Sequence, residues 1–212
     1  MILHQYIDHT LLKAMATQKD IAQLCEEAIE NQFFAVCVNG VHTAFAKAQL
    51  IASSVKLATV VGFPLGASKT LTKVFETQQA LQDGSDEIDM LLNIGALKEG
   101  NHSLVREDIR AIRRVSEGKI LKVIFENCYL SDEEKRIACG LCPEVGVDFV
   151  KTSTGFGSGG ATIADVLLMK EEVGDAIEIK ASGGIKDRET ALKFINAGAT
   201  RIGTSSGKNI IK

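Results

Sequence analysis

Three lysines of this sequence stand inside stretches that otherwise read as short buried β-strands. Lys122 lies in LKVIF, Lys151 in DFVKTSTGF and Lys180 in IEIKASGG. An isolated ammonium group is costly to move into apolar surroundings unless it is paired or loses its proton. The pattern therefore predicts either paired lysines or an amine that reacts.

Lys151 is the predicted nucleophile. An ordinary lysine is less than about 0.1% free amine at neutral pH. Lys180 is expected at the same height on the next strand, where its charge roughly 5 Å away would be worth about 3 kcal/mol at an effective dielectric near 20. Together with desolvation, this repulsion would increase the free-amine fraction of Lys151 about a hundredfold or more, which is how Schiff-base lysines are activated.

Strand alternation predicts that two carboxylates join these lysines. If the apolar neighbours face the helices, then Asp8 and Asp89 point into the interior, as do Thr10 and Cys37. An imine on a lysine accepts the electron pair released when a carbon–carbon bond β to it breaks, and the resulting enamine must be protonated. Asp89 is placed to carry those protons through a water and Lys180.

The elements that must position these residues alternate regularly along the chain. Strand candidates are residues 6–10, 33–39, 56–62, 87–93, 120–127, 148–153, 177–182 and 200–204, with amphipathic stretches between them. Capping residues such as Thr17, Ser131 and Asp187 mark helix starts. Eight β/α units in 212 residues favour a closed barrel over an open doubly wound sheet, and no GxGxxG follows the first candidate. The predicted fold is a (β/α)8 TIM barrel, a single domain over residues 1–212.

Glycine-rich loops follow the last two predicted strands, ASGGI at 181–185 and GTSSG at 203–207. Loops in these positions are the common phosphate site of this barrel. Backbone N–H groups, the hydroxyls of Ser205 and Ser206 and the start of a short helix would face the anion. We therefore expect a small phosphorylated ligand. A third glycine-rich loop, STGFGSGGAT, follows the sixth strand and could approach the same ligand.

Composition argues against several other classes. The formal charge of −3 has no basic block behind it, so we expect no nucleic-acid partner. No apolar run reaches the length of a membrane span and MILHQYIDHT lacks a signal-peptide pattern, so we expect no membrane association and a cytoplasmic location. Five scattered cysteines suggest reduced thiols. Cys139 and Cys142 form a C-x-x-C without a second pair, so we predict neither a metal site nor a cofactor.

Seven motifs occur in order between residues 6 and 207, namely DHTLLK, TVVGFPLG, EIDMLLNIG, LKVIFE, VKTSTGFGSGGAT, IKASGGI and RIGTSSG. The series resembles the deoxyribose-phosphate aldolases. The resemblance implies a class I aldolase of deoxyribonucleoside catabolism that reversibly cleaves 2-deoxy-D-ribose 5-phosphate to D-glyceraldehyde 3-phosphate and acetaldehyde. It also implies that no metal is needed and that the protein is a homodimer or homotetramer.

Carried over by position, the resemblance implies that Lys151 is the Schiff-base lysine, Lys180 the neighbour that tunes it and Asp89 the proton-relay acid. The matching substrate-pocket positions are Asp8, Thr10, Cys37 and Lys122. The matching phosphate-site positions are Gly155, Gly183, Gly184, Gly203, Ser205 and Ser206.

Two positions depart from the pattern of some family members. Phe156 stands where some members carry a lysine, so phosphate binding would here depend on backbone groups and hydroxyls. Some members also end in a tail whose tyrosine assists proton transfer, whereas this sequence has no tyrosine after Tyr129.

The residues leave other readings open. Glu126, on predicted strand five, could be the base of an isomerase acting on a phosphorylated sugar, with Lys151 as an electrophile. A non-enzymatic sugar-phosphate-binding barrel is the third reading. Within the aldolase reading, the Cys37 thiol could add to an unsaturated aldehyde formed by a second condensation of the acetaldehyde product.

Overall fold

Eight parallel strands form one closed barrel in chain order in the computed structural model, which describes residues 2–212. The strands are β1 (Ile7–Leu11), β2 (Ala35–Val38), β3 (Lys56–Val61), β4 (Glu87–Leu91), β5 (Ile120–Ile124), β6 (Phe149–Lys151), β7 (Glu178–Ser182) and β8 (Arg201–Thr204). Strand β8 pairs with β1 and closes the sheet. The predicted (β/α)8 barrel is confirmed.

Helices follow the strands around the outside of the barrel. They are α1 (Gln18–Glu30), α2 (Thr43–Leu50), α3 (Thr70–Gln82), α4 (Ile94–Lys98), α5 (His102–Val115), α6 (Asp132–Leu141), α7 (Ile163–Val173), α8 (Arg188–Asn196) and α9 (Gly207–Ile211), with 3-10 turns at Leu3–Tyr6, Gly40–His42, Asn127–Tyr129 and Pro143–Val145. Thr17 and Ser131 form the capping boxes that their spacing predicts, and Asp187 accepts from the backbone N–H of Thr190. Between residues 2 and 212, no helix is long and apolar enough to cross a bilayer.

The main apolar core lies between the barrel and the helices. Outward-facing strand residues such as Ile7, Val36, Ile88, Val123 and Val150 belong to it and are fully buried. A second, small apolar cluster lies inside the barrel and consists of Leu12, Cys37, Ala58 and Val60. The predicted alternation is therefore confirmed on these strands, and the remaining interior is available to polar groups.

Register brings the chemically active positions to matching heights. Lys151 is paired with Lys180 across β6 and β7, and Asp89 is paired with Lys122 across β4 and β5. Strand β6 is only three residues long and ends at Lys151, so this lysine stands at the carboxyl end of its strand. Barrel enzymes keep their active sites at this end.

Several strands are shorter than the sequence predicts, and one difference changes an interpretation. Glu126 does not lie on β5, which ends at Ile124. It adopts a left-handed backbone conformation with φ of 55°, at which the chain turns into the short helix beginning at Asn127. The prediction that Glu126 is a strand residue is therefore wrong, because alternation alone cannot locate the turn that ends a strand.

Candidate active site

Seven charged side chains meet inside the barrel, and each belongs to a residue that is at most 5% exposed. They are Asp8 on β1, Glu87 and Asp89 on β4, Lys122 on β5, Lys151 on β6, Lys180 on β7 and Arg201 on β8. Such a concentration of buried charge requires paired, hydrogen-bonded partners. The pairing pattern is the central feature of the site.

Asp8 and Asp89 are linked by Lys180. The Lys180 ammonium donates to Asp89 Oδ2 at 2.8 Å and also to Asp8. On the other side of Asp89, the Lys122 ammonium donates to Oδ1 at 2.8 Å and also to Glu87.

Arg201 completes the chain of contacts. Its guanidinium donates to Asp8 Oδ1 at 2.8 Å and to Glu87 Oε2 at 3.1 Å. Positive and negative groups therefore alternate around a closed circuit of Asp8, Lys180, Asp89, Lys122, Glu87 and Arg201, which we call the charge ring. Each of its six members contacts two members of opposite sign.

Lys151 stands outside the charge ring. Its Nζ lies 2.8 Å from Asp89 Oδ2, the oxygen that also accepts from Lys180. The two amines are therefore separated by no more than twice that distance. Within residues 2–212, Lys151 makes one ion pair, whereas Lys122, Lys180 and Arg201 make two each.

Opposite charges keep Asp89 and Lys180 ionised despite their burial. Burial alone would raise the pKa of Asp89, but Lys122, Lys151 and Lys180 hold it well below the usual range. Burial alone would lower the pKa of Lys180, but the carboxylates of Asp8 and Asp89 raise it above the ordinary lysine value. Lys180 therefore stays protonated beside Lys151. The sequence does not show that the Asp89 carboxylate lies between the two amines.

The other ring members follow the same rule. Burial would lower the pKa of Lys122, but Asp89 and Glu87 raise it. Burial would likewise lower the pKa of Arg201, but Asp8 and Glu87 raise it.

Thr10 and Cys37 lie close to these charges. The Thr10 hydroxyl donates to the backbone carbonyl of Asp8 at 2.8 Å, and Cys37 Sγ lies 4.0 Å from Asp89 Oδ2. Burial raises the pKa of the Cys37 thiol, so its sulfur stays protonated at neutral pH. Cys37 is therefore a small uncharged neighbour of Asp89.

A cavity of about 330 Å³ opens above Lys151 at the carboxyl ends of the strands. Of the predicted site residues, its lining includes Thr10, Lys151, Gly155, Gly183, Gly184, Gly203 and Ser205. Lys13 and Lys186 also line it, and among the described residues that form its wall none is acidic. The wall therefore offers glycine backbone, a hydroxyl and two surface ammonium groups to an anion.

Two glycines in this wall are required by close packing. A Cβ at Gly203 would lie 2.9 Å from Ser182 Cβ and 3.0 Å from Lys180 Cε. Gly183 has φ of +88°, and a Cβ there would meet Gly160 Cα at 2.9 Å. Ser206 is not part of the cavity wall, and its backbone N–H donates to the Thr204 hydroxyl at 2.9 Å.

Two phenylalanines meet beside the cavity. Phe156, in the loop after β6, lines the cavity and is 52% exposed. Its ring packs edge-to-face against Phe63 of the loop after β3, with centroids 5.4 Å apart. An apolar edge thus lies beside the cavity.

Glu126 anchors the loop that carries Phe156. Its carboxylate accepts from the Thr154 backbone N–H at 3.1 Å and from the Thr154 hydroxyl, which in turn accepts from the Phe156 N–H at 2.9 Å. Glu126 is buried and does not belong to the cavity wall. This geometry does not favour the reading of Glu126 as the base of an isomerase.

Sequence reasoning missed Glu87 and Arg201. The signal was present, because Glu87 is two residues from Asp89 on β4 and Arg201 is two residues from Gly203 on β8, so alternation puts both inside. Arg201 also stacks on Phe34, with its guanidinium carbon 3.7 Å from the ring centroid.

A closed parallel barrel that presents a buried lysine at the carboxyl ends of its strands, beneath glycine-rich loops, is typical of TIM-barrel enzymes that use an amine nucleophile. Residues 2–212 match the family described as DeoC/LacD family aldolase. The chain belongs to this family.

Curated relatives and solved structures agree with this assignment. A deoxyribose-phosphate aldolase of Finegoldia magna is 55% identical over 212 residues, covering 100% of both chains. One of Alkaliphilus oremlandii is also 55% identical, over 100% of this chain and 96% of its own. The structure entitled "QR15, an Aldolase" superposes with a TM-score of 0.95 at 43% identity, covering 98% of this chain and 93% of that one. A tetrameric deoxyribose phosphate aldolase from Aeropyrum pernix gives a TM-score of 0.92 at 31% identity, covering 99% and 89%.

Proposed function

We propose that this protein is a deoxyribose-phosphate aldolase of the Schiff-base type. It cleaves 2-deoxy-D-ribose 5-phosphate to D-glyceraldehyde 3-phosphate and acetaldehyde, and it catalyses the reverse condensation. The observation that carries the proposal is the position of Lys151, an amine that lies outside a balanced charge ring and lines a cavity with no acidic residue among the described residues of its wall. Full-length relatives with 55% identity carry the same activity in their names.

In the first step, the free amine of Lys151 adds to the aldehyde carbon C1 of the open-chain sugar. Loss of water from the carbinolamine leaves a protonated imine, which is an electron sink. Asp89 Oδ2 lies 2.8 Å from the nitrogen and can take a proton from it during addition. Lys180, on the same oxygen, can return a proton to the departing hydroxyl.

In the second step, the C3 hydroxyl loses its proton while the C2–C3 bond breaks. The bonding pair moves into the imine and forms an enamine on Lys151, and D-glyceraldehyde 3-phosphate leaves. The enamine gains a proton at C2, and water then hydrolyses the imine, releasing acetaldehyde and the free lysine. We assign the proton transfers to Asp89 and Lys180, with an intervening water.

The phosphate group is assigned to the part of the cavity wall that the glycine-rich loops form. Gly155, Gly183, Gly184 and Gly203 supply backbone, and Ser205 supplies a hydroxyl. Lys13 and Lys186 add positive charge at the same wall, which sequence reasoning did not include. Ser206 is kept as a proposed ligand through its hydroxyl, since its backbone N–H donates to the Thr204 hydroxyl.

Assembly and location are part of the same proposal. A homodimer or homotetramer is supported by four of the large apolar side chains that are more than 60% exposed: Val41, Leu65, Leu71 and Phe75. Leu71 and Phe75 are four residues apart on α3, and Val41 and Phe75 line one groove.

A cytoplasmic location is supported by five free cysteines. A single barrel with one main core supports one domain.

The test is release of acetaldehyde from 2-deoxy-D-ribose 5-phosphate, coupled to alcohol dehydrogenase. We expect turnover by the wild-type protein, and loss of it to background in Lys151→Leu. Lys170→Leu is the matched control, because that lysine is half-buried on α7 outside the barrel and pairs with Asp175. A Lys151→Leu protein that still cleaves the substrate would refute the assignment.

A further inference from the structure

Glu87 and Arg201 have no role in the mechanism above. Neither lines the cavity, and within residues 2–212 neither contacts Lys151 by an ion pair. Both are nevertheless buried and doubly paired, at a cost in desolvation that simple packing does not require. Their place in the charge ring suggests what they do.

The charges of the cluster are unequal when every group is ionised. Four groups can be cations, namely Lys122, Lys151, Lys180 and Arg201. Three can be anions, namely Asp8, Glu87 and Asp89. A net positive charge in such buried surroundings is unfavourable, and the loss of a single proton cancels it.

The contacts decide which group loses that proton. Lys122, Lys180 and Arg201 each donate to two carboxylates, so removing a proton from any of them would break the alternation of the charge ring. Lys151 is paired with Asp89 alone, at an oxygen already occupied by Lys180. Lys151 is therefore the group from which the proton is removed at the lowest cost.

We propose that Glu87 and Arg201 are positioning residues that close the charge ring, and that the balance of three cations and three anions within it makes Lys151 the neutral amine. The proposal rests on the proposed function, because it concerns the amine that forms the imine. It explains the neutral state of Lys151 by the balance of charges in the whole cluster, of which the repulsion from Lys180 is one part.

Other groups around Lys151 do not upset this count. On the mouth side, Lys13 and Lys186 line the same cavity, and their positive potential also favours a neutral Lys151. From β2, Cys37 faces Asp89 as an uncharged thiol. The nearest acid in the adjacent loop, Glu126, is engaged by Thr154.

The test measures how the rate of imine trapping depends on pH. Acetaldehyde serves as the carbonyl probe and cyanoborohydride as the reductant, and the adduct at Lys151 is quantified by peptide mass mapping. In Arg201→Gln the cluster keeps three carboxylates but has only two ring cations, so a protonated Lys151 would restore neutrality. We expect the half-maximal pH to rise by about one to two units and trapping at pH 7 to slow about tenfold or more.

Two further variants separate charge from structure. The double variant Arg201→Gln with Glu87→Gln has two cations and two anions in the ring, so its half-maximal pH should return to the wild-type value. Arg201→Lys keeps the positive charge but loses the guanidinium group that bridges Asp8 and Glu87. It should keep the wild-type half-maximal pH of imine trapping. A purely structural role for Arg201 would instead make the double variant at least as impaired as the single one.

An unchanged midpoint in Arg201→Gln, or a double variant whose midpoint stays raised, would overturn the proposal. If the variants do not fold, competitive acetylation of the wild-type protein decides the matter. Lys151 should be acetylated at neutral pH ahead of Lys122 and Lys180, and the reverse order would contradict the proposal. Wild-type protein that traps acetaldehyde with the expected profiles but does not cleave 2-deoxy-D-ribose 5-phosphate would refute only the proposed function.

Discussion

Asp89 is the residue that all three lysines of the site contact. Its Oδ1 accepts from Lys122, and its Oδ2 accepts from both Lys151 and Lys180. A carboxylate in this position can hold the nucleophile in place and can also relay protons. These two roles are separable, because only the second requires an ionisable group.

Replacing Asp89 by asparagine should separate them. We expect turnover to fall by about 10²-fold or more, because general acid–base catalysis is lost. Imine trapping at Lys151 should fall less than turnover, since removing an anion from the ring does not favour a protonated Lys151 and trapping with acetaldehyde involves no carbon–carbon cleavage. Asp86→Asn is a suitable control, because Asp86 pairs with Lys47 near the surface. Equal losses of trapping and turnover would contradict the relay role.

Cys37 offers a second prediction at this scale. Prolonged incubation with acetaldehyde should form an unsaturated aldehyde, and the Cys37 thiol should add across its carbon–carbon double bond. The addition should be slow at neutral pH, because burial raises the pKa of this thiol. Mass mapping of the inactivated protein checks this, with Cys25 outside the barrel as the internal reference. Inactivated protein with unmodified Cys37 would count against the hypothesis.

At the scale of elements, the loop after β6 connects the chemistry to substrate choice. Glu126 fixes Thr154, Thr154 fixes Phe156, and Phe156 packs on Phe63 across the edge of the cavity. The loop therefore presents the apolar ring of Phe156 at a position where a lysine side chain would strengthen binding of the substrate phosphate.

Phe156→Lys should increase selectivity for the phosphorylated sugar. We expect KM for 2-deoxy-D-ribose 5-phosphate to fall about threefold to tenfold relative to that for 2-deoxyribose, since a partly exposed charge-assisted contact contributes modestly. Steady-state kinetics with both sugars measure the ratio, and Phe156→Leu controls for loss of the aromatic pair. An unchanged ratio would show that the phosphate lies away from this loop.

Most elements of the fold are predictable from the sequence, because alternation and capping are local properties. The capping boxes at Thr17 and Ser131 and the inward positions of Asp8 and Lys180 follow from spacing alone. The ends of strands do not, since Glu126 leaves β5 through a left-handed turn that no periodicity encodes. The charge ring is also beyond local reasoning, because Arg201 and Asp8 lie 193 residues apart and meet only when β8 closes on β1.

At the scale of the whole molecule, the buried carboxylates link folding to pH. The pKa of Asp8, like that of Asp89, would be raised by burial alone but is held below its usual range, in this case by Arg201 and Lys180. Carboxylates with lowered folded-state pKa values stabilise the fold at pH values above their unfolded pKa, and this stabilisation is lost as the pH falls through the folded values. Lys122 and Lys180 act at the other end of the pH range, because the stabilisation from their raised pKa values is lost only under strongly alkaline conditions.

The free energy of unfolding should therefore fall steadily as the pH decreases below about pH 4. Urea denaturation followed by circular dichroism at each pH measures it, at one fixed protein concentration. Stability that is unchanged or higher at pH 3 would contradict the ionised state of the ring.

Assembly is the remaining prediction for the molecule. Phe75→Glu places a charge in the exposed apolar surface of α3, and we expect it to shift the protein to a smaller species in analytical ultracentrifugation. Leu167→Glu on α7, also an exposed apolar position, should leave the mass unchanged. A wild-type monomer, or equal effects of both substitutions, would contradict the proposed interface.

The most direct measurement is the location of the covalent intermediate formed with the natural substrate. Wild-type protein is mixed with 2-deoxy-D-ribose 5-phosphate at neutral pH and reduced with borohydride, and the modified peptide is identified by mass spectrometry. We predict one reduced adduct, at Lys151, with Lys122 and Lys180 unmodified. An adduct at Lys180, or continued cleavage with no adduct at any lysine, would contradict the assignment of Lys151 as the neutral amine beside the charge ring.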